Sequence, residues 1–172
     1  LFPLPDVVLF PEELLPLHIF EARYRVMLKD SLDIDNRFGI VRWDPKHQTH
    51  ANVGCCAQII HHQSFDDGRS NLITRGQQRF RILEIISDTP YLTGLVSWIE
   101  DHAVTNQDDL HTLSDNVRIA LQDVVTLTGK LTGKEVALPE DLPDLPRELS
   151  FWIASHLGGP AAEEQQVLLE LI

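Results

Sequence analysis

The sequence predicts an α+β protein, with strands first and helices after. Three observations carry this reading. Short β-branched runs with period-two alternation fill roughly residues 1–100, Pro, Gly and Asp punctuate them, and beyond about residue 105 the apolar period becomes that of an amphipathic helix. The change of period divides the chain into a β subdomain over 1–103, which includes one early helix, and a helical subdomain over 104–172 expected to pack on it. At 172 residues the chain is long enough to bury a real core.

Leu4–Phe10 reads as the first strand, closed by Pro11. Phe20, Tyr24, Met27, Leu28 and Leu32 then fall on one face of a helix, with Glu21, Arg25 and Lys29 forming i,i+4 pairs on the other. This helix should cover an open end of the sheet. Phe38–Trp43 is the next strand, stopped by Asp44-Pro45, and Val53–Ile60 is a longer one. Asp66-Asp67-Gly68 offers the positive φ of a tight turn between Ala57–Ile60 and Asn71–Arg75. Gln78–Ile86 and Tyr91–Ile99 complete the strands, separated by Asp88-Thr89-Pro90.

From near Thr105 to Gly129, Leu110, Leu113, Val117, Leu121 and Val124 form one stripe of a helix roughly 30 Å long. The stripe either packs on another helix or contacts a partner, and Ile119 sits on the opposite side. After the Pro-rich loop Leu138–Pro143, Asp144 can cap a helix with Pro146 in its first turn, and Gly158 can end it. Leu145, Leu149, Trp152, Ile153 and His156 share its face. A last helix carries Glu163 and Glu164 at its positive end and Val167, Leu168 and Leu171 beyond. No initiator Met opens the chain and no cap follows Ile172, so a continuing native chain is expected.

The formal charge of −12, from 26 acidic against 14 basic residues, repels phosphate backbones, so nucleic acid is not an expected partner. No apolar run approaches the roughly 18 residues that cross a bilayer, and no basic leader opens the sequence. Adjacent Cys55 and Cys56 cannot staple distant segments and fit a reducing compartment, which points to the cytoplasm.

Catalytic patterns fail on spacing. Gly129-Lys130-Leu131-Thr132-Gly133-Lys134-Glu135 is one residue short of a phosphate loop and has Glu135 where a magnesium-binding hydroxyl belongs. His47, His50, Cys55, Cys56, His61 and His62 cluster in sequence only. At about 3.3 Å per residue an extended strand separates Cys55 from His61 by roughly 20 Å. One cysteine should be buried and the other partly exposed. No Gly-x-Ser-x-Gly elbow occurs. Glu12-Glu13, Asp66-Asp67, Asp108-Asp109 and Glu163-Glu164 read as solvated charge. No catalytic residue, metal ligand or cofactor is expected.

The most specific segments are Phe2-Pro3-Leu4-Pro5-Asp6-Val7-Val8-Leu9-Phe10-Pro11 and Leu15-Pro16-Leu17-His18-Ile19-Phe20-Glu21-Ala22-Arg23-Tyr24-Arg25. With Arg37-Phe38-Gly39-Ile40-Val41 and Gly76-Gln77-Gln78-Arg79-Phe80-Arg81-Ile82, they resemble the N-terminal substrate-binding domain of Lon proteases. The resemblance covers residues 1–100 in motifs and the helical remainder in pattern. It implies a β-barrel-like subdomain of the PUA-like type followed by a helical bundle. It also implies a non-catalytic domain that recognises unfolded or tagged polypeptides, as substrate receptor or adaptor for a protease or ATPase partner. Stand-alone bacterial relatives carry a peptidase label by domain name, but the ATPase and Ser-Lys protease motifs are absent from these residues. Homo-oligomerisation is left open. The alternatives are a small-ligand or RNA-binding module of the same fold, or a peptidase with no visible active site.

The motif residues Pro5, Pro11, His18, Phe20, Glu21, Arg23, Tyr24, Gly76, Arg79 and Phe80 read as architectural. Gly76 suits a sharp turn before the Arg79–Ile82 strand. Arg79 and Arg81 share a face and are costly to bury alone, so Glu21 or a neighbouring carboxylate should meet one of them. Trp43, Phe65, Trp98, Ile119 and Phe151 are the candidate polypeptide contacts. Phe151 lies off the apolar face of its helix, and burial would remove it from this set.

Overall fold

The computed structural model describes residues 1–101, 106–140, 142–156 and 162–171. Its elements are β1 (Phe2–Pro5), β2 (Leu14–Ile19), α1 (Ala22–Ile34), β3 (Arg37–Asp44), β4 (Thr49–Ser64), β5 (Ser70–Ser87), β6 (Thr93–Trp98), α2 (Gln107–Thr132), α3 (Pro146–His156) and α4 (Ala162–Glu170). They fall into two compact units, one of residues 1–101 and 153–172, the other of residues 102–152.

In the first unit six strands make one sheet in the order β1-β3-β4-β5-β2, and β6 also pairs with β5. Only β1 and β3 run parallel. β5 is the spine: β4 lies along one edge, and β2 and then β6 lie along the other. The mixed α+β class stands, but the barrel does not, because β1 and β2 end the path without pairing and the sheet stays open. The cause is local. Pro3 and Pro5 take alternate N–H groups out of β1, and Pro16 takes one out of β2, so both terminal strands offer broken donor rows.

The apolar run Leu4–Phe10 is not one strand. β1 ends at Pro5, Asp6 turns the chain at φ 52°, and Val8, Leu9 and Phe10 are buried without ladder pairing. Hydrophobicity reported burial there, not extension. β2 was not expected from the sequence. Its alternating exposure is that of an edge strand, where Pro16 can be accommodated because β5 is its only strand partner among the described residues.

α1 contributes Tyr24, Met27 and Leu28 to a core shared with Phe2, Leu9, Ile19, Phe38, Ile40, Cys55 and Leu72. Phe2 meets Tyr24 edge-on at 4.4 Å and Phe38 at 6.0 Å. Phe20 does not join this face. It precedes the helix and is 57% exposed. The expected Glu21–Arg25 pair is also absent: Glu21 bonds Arg23 at 2.9 Å, while Arg25 donates to the carbonyls of Phe20 and Asp67 at 2.9 and 3.0 Å. The bond to Asp67 ties the start of α1 to the β4–β5 hairpin, whose Gly68 has φ 82°.

Asn71–Arg75 and Gln78–Ile86 are one continuous strand, so Gly76 is not at a turn. Its role is close approach. A Cβ there would stand 1.9 Å from the Phe10 carbonyl oxygen, and the Gly76 amide and carbonyl bond Glu13 O and Glu12 N at 2.9 Å each.

α4 is anchored to the sheet by polar contacts. Gln166 donates to Val53 O at 3.0 Å. Arg79, only 3% exposed, donates to Leu169 O at 2.8 Å and to Leu171 O, and pairs with Asp101. A guanidinium thus closes the negative end of α4. A carboxylate does meet one of the paired arginines, but it is Asp101 and not Glu21. Arg81 is exposed.

In the second unit α2 begins at Asn106, whose side chain accepts from the amides of Asp108 and Asp109. It runs past Gly129 and ends at Gly133, which adopts the left-handed conformation at φ 66°. The first four residues of the glycine–lysine stretch are therefore helical. α3 starts at Pro146. The expected helix end at Gly158, like Thr105 and Ile172, lies outside the described residues.

Candidate functional site

β5 and β6 face each other so that Phe80 opposes Trp98. Phe80 is 2% exposed, Trp98 is 50% exposed, and the rings meet edge-on with centroids 6.4 Å apart. Room for the Phe80 ring comes from glycines on two neighbouring strands: a Cβ on Gly39 or Gly54 would lie 2.7 or 2.8 Å from its Cζ. Above this floor opens a cavity of about 310 Å³ walled by Phe38, Cys56, Gly94, Val96 and Trp98. Arg37 and Asp35, paired at 2.8 Å, lie at its edge. The Cys56 thiol, raised in pKa by burial, stays neutral there.

Past the last β4 partner at Arg81, β5 and β6 continue as a two-stranded ribbon. Leu83, Ile86 and Leu95 on it are 58%, 68% and 53% exposed, and β6 pairs with no strand but β5 among the described residues. An unpaired backbone edge beside exposed aliphatic side chains and an apolar pocket can take an extended peptide by strand addition. The sequence reading expected both strands of this ribbon but not the exposed apolar surface they carry. Its signal was the adjacent pair Ile85-Ile86, which breaks the alternation a half-buried strand requires.

A second exposed feature is the ledge of His18, Phe20 and Phe65. His18 Nδ1 lies 2.7 Å from Asn71 Oδ1, and its ring stacks on Phe20 at 6.0 Å and meets Phe65 at 6.5 Å. Phe65 is 39% exposed. Of the candidate contacts, Trp98 lines the cavity, Phe65 joins the ledge, Trp43 is half-buried in β3, and Ile119 is exposed on α2. Phe151 is buried, with Arg147 over its ring at 5.1 Å, and leaves the set. Among the motif residues Pro5 ends β1 and Pro11 follows the buried Phe10. Arg23 lies over the Tyr24 ring at 4.5 Å.

The histidines and cysteines stay apart: no group of three or more metal-ligating side chains forms among the described residues. Cys55 and Cys56 are both buried, so the expectation that one is partly exposed is corrected. β4 is covered on both faces where they lie. A polar cavity beside α4 holds Arg42, whose Nη2 stands 3.8 Å from both Asp6 and Glu163. Asp44 and Lys46 also line it, and three carboxylates against two cations give an anion no net attraction. No helix among the described residues is long and apolar enough to cross a membrane.

The family profile of the ATP-dependent protease La (LON) substrate-binding domain matches residues 1–171. A Lon protease of Anaeromyxobacter dehalogenans is 26% identical over 174 residues, which are 98% of this chain and 20% of that relative. One of Parabacteroides distasonis is 28% identical over 188 residues, again 98% of this chain and 21% of the relative. The chain therefore spans about a fifth of the length of these relatives. Among solved structures, a Lon N-terminal domain protein from Xanthomonas campestris aligns at a TM-score of 0.51 and 26% identity, covering 68% of this chain and 72% of that one. The N-terminal domain of a Mycobacterium avium complex Lon protease aligns at 0.67 over 99% of this chain and 89% of its own, with 14% identity, and shows the fold. With the proline-edged open sheet, the buried Arg79 and a profile match running nearly end to end, this chain belongs to the Lon protease substrate-binding domain family.

Proposed function

We propose that the sheet binds extended, apolar stretches of polypeptide, with the backbone added along β6 and one side chain seated against Phe80 and Trp98. The observation that carries this reading is the coincidence of an unpaired strand edge, exposed Leu83, Ile86 and Leu95, and a cavity of about 310 Å³ with a buried aromatic floor. Such a surface selects unfolded chains, because folded proteins have already paired their backbone and buried their large apolar side chains. The role is non-catalytic substrate recognition, with delivery to an ATPase or protease partner as its use.

The test is fluorescence anisotropy with a labelled, reduced and carboxymethylated protein. Trp98→Ala should weaken binding by about 5- to 100-fold, the range for an aromatic anchor. Val96→Phe should also weaken it by filling the cavity that Val96 lines, whereas Phe65→Ala on the ledge should change affinity less than about twofold. Unchanged binding in both cavity variants would sink the assignment. The RNA-binding alternative would need a basic stripe of Arg75, Arg79 and Arg81, and the burial of Arg79 among α4 carbonyls and Asp101 interrupts it.

A further inference from the structure

The second unit carries a feature the peptide site does not use. Leu110, Leu113, Val117, Ala120, Val124, Leu127 and Leu131 succeed one another along α2 at alternating steps of three and four. This is the a/d repeat of a two-stranded coiled coil, narrower than the stripe of a helix packed on a globular core. α2 has no buried residue. Leu113, Val124, Leu127 and Leu131 are 61%, 58%, 56% and 88% exposed. The segment after Gly133 returns along a neighbouring flank, where Arg118 donates to the carbonyls of Pro143 and Asp144, and leaves the seam open. Such a seam, exposed to water, favours association with a partner that covers it.

We infer that the occupant is α2 of a second copy of this chain, docked antiparallel. Two properties of the seam select it. The first is size. Setting Leu110 against Leu127 of the second copy also sets Leu113 against Val124 and Val117 against Ala120. The two-fold then repeats these layers, with large pairs at the ends and the small residue opposite Val117 at the crossing. The second is charge. Asp108 and Asp109 lie in the first turn and Lys130 in the last. In this register Asp109 flanks Lys130 of the second copy at both ends, and the two helix dipoles oppose. A parallel pair would place Asp109 against the acidic first turn of the second copy and gain no such contact.

Sedimentation velocity of the whole chain should show a monomer–dimer equilibrium. Val117→Asp should raise the dissociation constant at least about 100-fold by burying a charge at the seam, with unchanged far-UV circular dichroism. Ile119→Asp, on the opposite face, should leave it unchanged. For orientation, Leu113→Cys and a differently sized Val124→Cys chain are mixed and air-oxidised; the native cysteines are buried and silent. Antiparallel docking gives the mixed crosslink and little of either self-crosslink. The inference is overturned by a chain that stays monomeric at high micromolar concentration, a dimer that survives Val117→Asp or dissociates with Ile119→Asp, or self-crosslinking of each cysteine variant alone.

Discussion

Replacing Arg79 by methionine keeps most of the side-chain volume at a site that is 3% exposed, so the variant isolates the polar contribution. Three acceptors lose their donor: Leu169 O, Leu171 O and the Asp101 carboxylate. Asp101 is 36% exposed and regains water, so its share is at most about 1 kcal/mol. The Leu169 carbonyl bond is buried, and a hydrogen bond to a charged donor contributes about 1.5–3 kcal/mol. The part-buried Leu171 carbonyl regains water, and the sum is a loss of about 1.5–4 kcal/mol, or roughly 10 °C in Tm for a chain of this size. Arg79→Lys keeps the charge but loses the planar fork that reaches three acceptors, and should fall between the two. Urea unfolding gives the magnitude, and hydrogen exchange gives the location: amides of α4 should exchange faster while those of β4 change little. If Arg79→Met unfolds within about 0.5 kcal/mol of the parent, or α4 keeps its protection, the guanidinium is not what holds α4 to the sheet.

Gly76→Ala places a methyl group 1.9 Å from a backbone oxygen and should destabilise by about 3 kcal/mol or more in urea, whereas Gly68→Ala, at an exposed turn with φ 82° and a Cβ that would stand 2.8 Å from the movable Arg25 Nη1, should cost about 1–2 kcal/mol. The Asp44 carboxyl, held down to about 2 chiefly by the His47 side-chain bond and further by the His47 and Lys46 amides, should titrate there by carboxyl NMR. Its pKa is lower in the folded state, so its contribution to stability is complete above the unfolded value of 3.8 and is lost as pH falls toward 2. Burial raises the pKa of both Cys55 and Cys56, so neither thiol should react with a disulfide reagent near neutral pH until the chain unfolds.

Local signals were legible wherever one residue type answers one backbone need. Gly68 at the hairpin, the acidic first turns of α2 and α4, Pro146 at the start of α3, and the Tyr24–Met27–Leu28 face of α1 are of this kind. What the sequence hid depends on distant partners. No strand was expected around Pro16, which is accommodated because β2 has a strand neighbour, β5, on one side only among the described residues. Gly76 looked like a turn, because nothing nearby in sequence announces that Phe10 will press against it. Phe20 had helical spacing to the core face, yet it precedes the first helical residue and stays outside. The site divided the same way. Trp98 was visible as a large apolar residue in a strand, but its pocket exists only because glycines on β3 and β4 lie beneath the ring of Phe80.

The shared spine β5 also sets an order of assembly. Its pairing with β4 closes only the short Phe65–Arg69 turn, whereas its pairing with β2 joins Leu14 to Arg75 across the whole of α1, β3 and β4. Loop closure is cheaper for the first, so the expected order is the hairpin as nucleus and β2 docking after the rate-limiting step. Substitutions in the β4–β5 ladder, such as Leu72→Ala, should therefore slow folding. Those confined to β2, such as Leu17→Ala, should mainly speed unfolding, leaving the Leu14–Ile19 part of the motif as a late arrival.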